Sequence, residues 1–275
     1  MSNITDESIE IIMAELLNID STTKDLKDQD ILHSTSNHLE TSFHRLDYLT
    51  ALDINDQLAQ ETICNPEYNS VLEAIARFRN LYSLRLEIEN AKAILASEDP
   101  WEVLEHFTHF SNYLQLATTE YKGSGIKPGD TVIFLGSGPL PLTLIALCHW
   151  HGLKGIGIEQ DPDRAELSRK VLEKLGLLDQ IRIIHGNQFI LPLENKCDHL
   201  MVAAGAEPKK EIFDYLANVL PGGFGLSYRI YEKGLRSVLE TCSSFELPEQ
   251  FVEYLRIRPE PPVNNTVVFL KKEFC

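Results

Sequence analysis

The chain has 275 residues, 43% of them hydrophobic and 24% charged, which is ordinary for a globular protein and enough for two modest domains or one large one. Its formal net charge of −16 at pH 7 repels phosphate backbones and anionic lipid, so nucleic acid and membrane surfaces are poor partners. The opening Met1-Ser-Asn-Ile-Thr-Asp-Glu-Ser8 lacks the basic patch and apolar core of a signal peptide, and no apolar run would span a bilayer; Cys64, Cys148, Cys197, Cys242 and Cys275 form no C-x-x-C pair. The expectation is a cytoplasmic protein with reduced thiols and no structural metal.

From about Ser8 to Tyr121 apolar residues recur every three or four positions and glycines are few, which predicts helix throughout. A first helix covers Ile9 to Leu17, and the polar stretch Asp20 to Asp28 reads as a loop. A second helical region runs from Ile31 to Ala59 with a break near Asp53, and Asn65-Pro66 closes it. The long helix from Ser70 to Ala96 carries Leu81, Leu84, Ile88 and Leu95 as its core stripe. Glu87 shares a face with Leu84, Ala91 and Ile94, which makes it a candidate for a raised pKa, although a solvated glutamate at the stripe's edge is the plainer reading.

Asp99-Pro100-Trp101-Glu102 is an N-cap, a first-turn proline and an early acid, predicting a helix that runs to Tyr121. On it His106 and His109 share a face one turn after Glu102, a geometry that admits a metal, though a polar surface face accounts for them better. Tyr113, in Phe110-Ser-Asn-Tyr113, falls among apolar neighbours: a packed, hydrogen-bonded tyrosine or a site residue. Gly123-Ser-Gly-Ile-Lys-Pro-Gly129 marks a boundary between a helical cap domain over 1–124 and a second domain over 125–275.

Beyond it strands and helices alternate. Val132 to Leu135 is a short apolar run typical of a parallel strand covered on both faces, followed by Gly136-Ser-Gly-Pro-Leu-Pro141 and a helix from Leu142 to Trp150. Further strands are read at Gly155–Glu159, Ile181–His185, His199–Ala203 and Phe224–Arg229, with helices at Pro162–Leu175, Pro208–Val219 and Gly234–Cys242. Phe251–Ile257 and Thr266–Leu270 suit a closing antiparallel pair. The fold class expected is therefore α/β: a doubly wound, Rossmann-like domain preceded by an all-helical one.

The glycine turn is the candidate ligand site. It resembles the dinucleotide fingerprint, but Pro139 and Pro141 have no N–H to offer a pyrophosphate, leaving a nucleoside without phosphates, of which S-adenosylmethionine is the obvious case. The candidate binding residues are Gly136, Ser137, Gly138, Pro139 and Leu140 in the turn, and Glu159 at the next strand's end to take the ribose hydroxyls, with Asp161 as its rival. Asn187 lies where the adenine edge would fall, and Ala203 where the fourth strand opens on the crevice.

With Glu87, Phe110-Ser-Asn-Tyr113 and Leu135-Gly-Ser-Gly-Pro-Leu-Pro-Leu-Thr143 in view, the chain resembles the nicotianamine synthase family, whose relatives include archaeal nicotianamine-like synthases and bacterial enzymes of opine metallophore pathways. Asp99-Pro100-Trp101, Asp161 to Lys170, Met201-Val-Ala-Ala204, Ala206-Glu-Pro-Lys209, Tyr228-Arg229 and Val263-Asn-Asn-Thr266 carry the likeness from about Tyr82 to Leu270. The resemblance implies transfer of the 3-amino-3-carboxypropyl group of S-adenosylmethionine to an amino-acid amine, with release of 5′-methylthioadenosine and no metal in the chemistry. The acceptor it implies is histidine, glutamate or a second S-adenosylmethionine-derived unit. It places Glu87 on the family's catalytic glutamate and Tyr113 on its partner tyrosine, Arg229 as an arginine for an amino-acid carboxylate and Asn265 as a substrate contact; a structural salt bridge and a turn role are the plainer alternatives for the last two. An ordinary methyltransferase and a nucleoside-binding module without turnover are the competing functions, and the cap is a candidate homodimer surface.

Overall fold

The computed structural model describes residues 6–33, 37–52, 66–193, 197–232, 245–260, 263 and 265–274. The chain packs as two compact units, one formed by Met1–Leu86 with Tyr231–Ser244 and the other by Glu87–Ile230 with Phe245–Cys275. The division therefore falls elsewhere than at Gly123–Gly129. The helix Phe110–Ser124, into which that stretch reaches, packs on the sheet of the second unit, and the Cα-bound hydrogen side of Gly123 lies against the ring of Phe269.

The first unit is helical. It holds α1 (Asp6–Thr23), α2 (Asp28–His33), α3 (Asn37–Thr50) and the first part of α4 (Asn69–Ala96). Helix α1 extends beyond the predicted Leu17 to Thr23, and in its last turns the hydroxyls of Ser21, Thr22 and Thr23 donate to helix carbonyls three or four residues earlier instead of turning the chain away. Ile12 and Leu16 of α1, Phe43 and Leu46 of α3, and Ile75 and Phe78 of α4 close one apolar core, with the rings of Phe43 and Tyr82 4.6 Å apart. The predicted break near Asp53 and the predicted helix Gly234–Cys242 lie outside the described residues.

In the second unit the single helix expected from Pro100 to Tyr121 is two, α5 (Pro100–Glu105) and α6 (Phe110–Ser124). Asp99 caps α5 by accepting from the Glu102 N–H, and His106 ends it, its Nδ1 lying 2.7 Å from the Glu102 carbonyl. His106 and His109 thus sit at a break and not on one helical face. No cluster of three or more metal-binding side chains occurs among the described residues.

The sheet follows: β1 (Thr131–Leu135), α7 (Leu142–His151), β2 (Lys154–Glu159), α8 (Pro162–Lys174), β3 (Ile181–His185), β4 (His199–Val202), α9 (Lys209–Val219), β5 (Gly225–Ile230), β6 (Phe251–Ile257) and β7 (Thr266–Lys272). The spatial order is β3-β2-β1-β4-β5-β7-β6, with β7 antiparallel to both neighbours and the other pairs parallel. The order reverses beside β1, so the switch-point crevice opens at the carboxyl end of that strand. Ile133, Leu135, Val202 and Leu226 bury one face of the sheet against Ile212, Phe213 and Leu216 of α9. The second face carries Leu116 of α6 against Val267 and Phe269. Cys148 and Cys197 are free, and burial pushes both thiols up to about 12. No helix among the described residues is long and apolar enough to cross a membrane.

Candidate active site

Strand β1 runs into a turn in which Gly136 and Gly138 have φ of 84° and 73°, a region that costs other residues about 1–2 kcal/mol. Small neighbours let this turn close: a Cβ on Gly136 would meet the Cβ atoms of Ala203 and Ala206 at 3.1 and 3.2 Å. The first three amides of the turn are used internally. Gly136 and Ser137 donate to the Ile158 carbonyl at 2.9 and 3.1 Å, and Gly138 donates to Glu159 Oε2 at 2.9 Å. With Pro139 and Pro141 lacking N–H groups, the turn is a poor phosphate cradle for reasons beyond its prolines.

Glu159 is 4% exposed, and its Oε1 accepts a second backbone bond, from Asp161 at 3.0 Å. Each carboxylate oxygen retains a lone pair beyond these bonds, so the group can still take a pair of hydroxyls. Asp161 is committed otherwise: its Oδ1 accepts from the N–H groups of Asp163 and Arg164 and so caps α8. Asn187 is exposed at the end of β3, its Oδ1 accepting from the Phe189 N–H at 3.2 Å. Ala203 is tied to the turn by its N–H, 3.0 Å from the Leu135 carbonyl.

The second-unit part of α4 begins at Glu87. Glu87 is half-buried and accepts through Oε1 from the Tyr113 hydroxyl at 2.8 Å. Its Oε2 lies 3.0 Å from where a Cβ on Gly138 would stand. Two carboxylates, Glu87 and Glu159, therefore bracket one glycine, one through the missing side chain and one through the amide. The site brings together Glu87, Tyr113, the glycine turn, Glu159 and Ala203. Such an arrangement favours a cationic ligand and supplies a base beside it.

Arg229 does not present an open fork to a substrate carboxylate. Its Nε and Nη2 reach the two oxygens of fully buried Glu120 at 3.0 and 2.5 Å, Nη2 also donates to Thr143 Oγ1 at 2.8 Å, and the guanidinium lies 5.0 Å from the centre of the Phe134 ring. One residue thus ties β5 to α6, α7 and β1. Asn265 stands immediately before β7, half-buried, at the edge where Thr266 pairs with Ile230.

Sequence reasoning missed Glu120, Thr143 and Lys209. Glu120 was signalled, since Tyr113, Leu116, Ala117 and Glu120 make one helical stripe. Lys209 is buried, and its ammonium donates to the carbonyls of Ala204 and Ala206 at 2.6 and 3.0 Å and to Glu207 Oε1 at 3.2 Å, fastening the loop that carries Ala203. A cation in the first turn of a helix opposes the helix dipole, and nothing in the local sequence announces the carbonyls that justify it.

The family model described as nicotianamine synthase protein matches residues 5–275. L-histidine 2-aminobutanoyltransferase of Yersinia pestis is 23% identical over 228 residues, 82% of this chain and 83% of that protein. Nicotianamine synthase 1 of Hordeum vulgare is 33% identical over 95 residues, 33% of this chain and 29% of that protein. A glutamate-to-glutamine mutant of MtNAS in complex with S-adenosylmethionine is similar with a TM-score of 0.85 and 30% identity, over 94% of this chain and 97% of that one. MtNAS in complex with MTA and tNA is similar with a TM-score of 0.86 and 30% identity, over 96% and 97%.

Proposed function

Because the chain belongs to the nicotianamine synthase family, we propose that it transfers the 3-amino-3-carboxypropyl group of S-adenosylmethionine to the amine of an amino-acid acceptor. The observation that carries the mechanism is the Glu87–Tyr113 pair beside Gly138. The sulfonium offers three electrophilic carbons, and the carbon that reacts is the one aligned with the nucleophile. An amino-acid amine is mostly protonated near neutrality and cannot attack in that form. Glu87 takes the proton, and the Tyr113 hydroxyl, donating to the same carboxylate, holds it in place. The nitrogen lone pair then forms a bond to the γ-carbon of the methionyl chain. The carbon–sulfur bond breaks with its electron pair going to sulfur, and 5′-methylthioadenosine leaves as a neutral thioether. Glu159 is assigned the ribose hydroxyls, Asn187 the adenine edge, and Gly136, Ser137, Gly138, Pro139, Leu140 and Ala203 the wall against the nucleoside.

The product of such a transfer is nicotianamine or a related metallophore or its precursor. A single transfer to histidine is the second reading, favoured by the L-histidine 2-aminobutanoyltransferase whose similarity extends over most of both chains. Free Cys148 and Cys197 support a reducing compartment, the cytoplasm.

The test is product analysis. Purified protein incubated with S-adenosylmethionine and histidine, glutamate or no acceptor releases 5′-methylthioadenosine and forms an acceptor adduct. Release of S-adenosylhomocysteine instead would make it a methyltransferase, and no released nucleoside would make it a binding module. Glu87→Gln keeps the shape of the side chain, so it should bind S-adenosylmethionine while turnover falls by about 100-fold or more, the span of general-base contributions. Full activity of that variant removes Glu87 as the base.

A further inference from the structure

Between the end of β4 at Val202 and the start of α9 at Lys209, the chain has only Ala203 to Pro208 in which to leave the sheet and pass the glycine turn. Two of these residues reach that turn: a Cβ on Gly136 would stand 3.1 Å from the Cβ of Ala203 and 3.2 Å from that of Ala206. The segment therefore lies about as close to the turn as a glycine allows. Two backbone bonds hold it, from the Ala203 N–H to the Leu135 carbonyl at 3.0 Å and from the Ala206 N–H to the Ala203 carbonyl at 3.2 Å. The side chain of Lys209 adds three more.

An ammonium has three protons and no lone pair. All three protons of Lys209, a residue only 2% exposed, are spent inside this segment: on the Ala204 carbonyl at 2.6 Å, the Ala206 carbonyl at 3.0 Å and Glu207 Oε1 at 3.2 Å. Glu207 Oε2 in turn accepts the Lys209 N–H at 2.8 Å. The tripod leaves no donor for a ligand, so Lys209 does not itself bind one. Stability is a poor reason for it, since a buried charged pair gains little over an apolar group of the same volume, and a cation in the first turn of α9 opposes the helix dipole. What an ammonium does and a methyl group cannot is draw two carbonyls to one point, which fixes the curvature of the segment whose methyl groups meet Gly136. We propose that Lys209 is a positioning residue for the nucleoside: its ammonium holds Ala203 and Ala206 against Gly136 and so sets the wall on which the nucleoside rests. The inference rests on the transferase reading, in which Ala203 and the glycine turn form that wall. S-adenosylmethionine and 5′-methylthioadenosine share the nucleoside, so a loosened wall weakens both by the same factor.

The test uses the full-length chain with Lys209→Met, which keeps the length of the side chain without its donors, Ala206→Gly, which removes one of the methyl groups on Gly136, and the double variant. Dissociation constants of both nucleosides are measured by calorimetry, the acceptor KM by initial rates at saturating S-adenosylmethionine, and stability by urea denaturation. Lys209→Met should weaken both nucleosides equally, about tenfold or more, with the acceptor KM within about twofold. In the Ala206→Gly background the same change should cost about threefold or less, because the two residues act through one contact. If Lys209→Met does not fold, Lys209→Gln, an uncharged side chain that retains amide donors, is put through the same cycle. The positioning role is overturned by nucleoside affinities that stay within about twofold while stability falls, by weakening of S-adenosylmethionine alone, or by effects that simply multiply in the double variant. An unsubstituted protein that binds neither nucleoside overturns the transferase reading and this inference with it. Normal binding and turnover with indifferent variants overturns the positioning role alone.

Discussion

Replacing Arg229 by Met separates two accounts of this arginine. The structure pairs it bidentately with Glu120, both side chains almost wholly out of water at 4% and 0% exposure, and adds a bond to Thr143 Oγ1 at 2.8 Å. Removing one member of such a pair strands a buried carboxylate, which costs about 3–5 kcal/mol. For a chain of this size that is a fall of roughly 6–20 °C in Tm. Replacing both members by apolar groups removes the stranded charge, so Arg229→Met with Glu120→Leu should recover most of the loss. Urea denaturation of the four proteins in the cycle gives the coupling, with constant slopes indicating that the compared states are equivalent. The alternative, an arginine that grips a substrate carboxylate, predicts the reverse: little stability change, a raised KM, and no recovery in the double variant. A single variant that costs less than about 1 kcal/mol, together with a double variant no more stable than the single, would refute the structural account.

Three further outcomes can be measured independently. Gly138→Ala must adopt a φ of 73° and bring a methyl group within 3.0 Å of Glu87 Oε2, so turnover should fall more than about tenfold while stability drops only about 1–2 kcal/mol; steady-state rates beside thermal melts check it. Tyr113→Phe removes the 2.8 Å bond to the Glu87 carboxylate, which at about 1.5–3 kcal/mol predicts a kcat lower by about 10–100-fold with S-adenosylmethionine binding little changed; an unaltered kcat removes Tyr113 from the mechanism. Burial holds the His199 imidazole down to about 4 in the folded chain, whereas the unfolded chain protonates it near 6.5. The unfolded state thus binds the extra proton between those values, so this contribution is complete above about pH 6.5 and is lost as pH falls toward 4, by up to about 3 kcal/mol. Urea titrations at several pH values should show that slope, and His199→Gln should flatten it.

The α/β half of the fold was legible because its signals are local. Short apolar runs ending in Gly136, Glu159 or His185 could hardly be anything but strands, and a helix starting at Pro162 behind Asp161 carries its own cap. Where the reading failed, a side chain altered the backbone's options. Periodicity carried the helix after Pro100 straight through His106, yet the segment breaks there, with the imidazole against the Glu102 carbonyl. Periodicity likewise ended α1 early, because Ser21, Thr22 and Thr23 look like turn formers until their hydroxyls are seen serving the helix's own carbonyls. In the site, Glu87 and Tyr113 could be singled out from the residues, but their pairing was expected from the family resemblance alone, since it depends on how α4 and α6 pack. Arg229 shows the converse limit, for its residue type suits a substrate and a buried carboxylate equally well, and only the position of Glu120 decides between them.

The arrangement around Gly138 also explains why this turn suits a sulfonium better than a phosphate. A phosphate site needs outward-facing amide donors and positive charge, but here three successive amides are consumed within the protein and two carboxylates stand at the same glycine. Both reacting groups in the proposed transfer, the sulfonium and the acceptor's ammonium, arrive positively charged, so bringing them together without compensation would cost Coulomb energy that grows as water is excluded. Glu87 and Glu159 supply that compensation before the reaction begins. As the carbon–sulfur bond breaks, the positive charge on sulfur vanishes and Glu87 has already taken a proton. The attraction that held the nucleoside weakens with the chemistry, so 5′-methylthioadenosine is bound less tightly by these carboxylates than the sulfonium it came from. Affinity for the charged donor should accordingly fall with rising ionic strength more steeply than affinity for the neutral product, a difference set by charge and absent if shape alone selected the ligand.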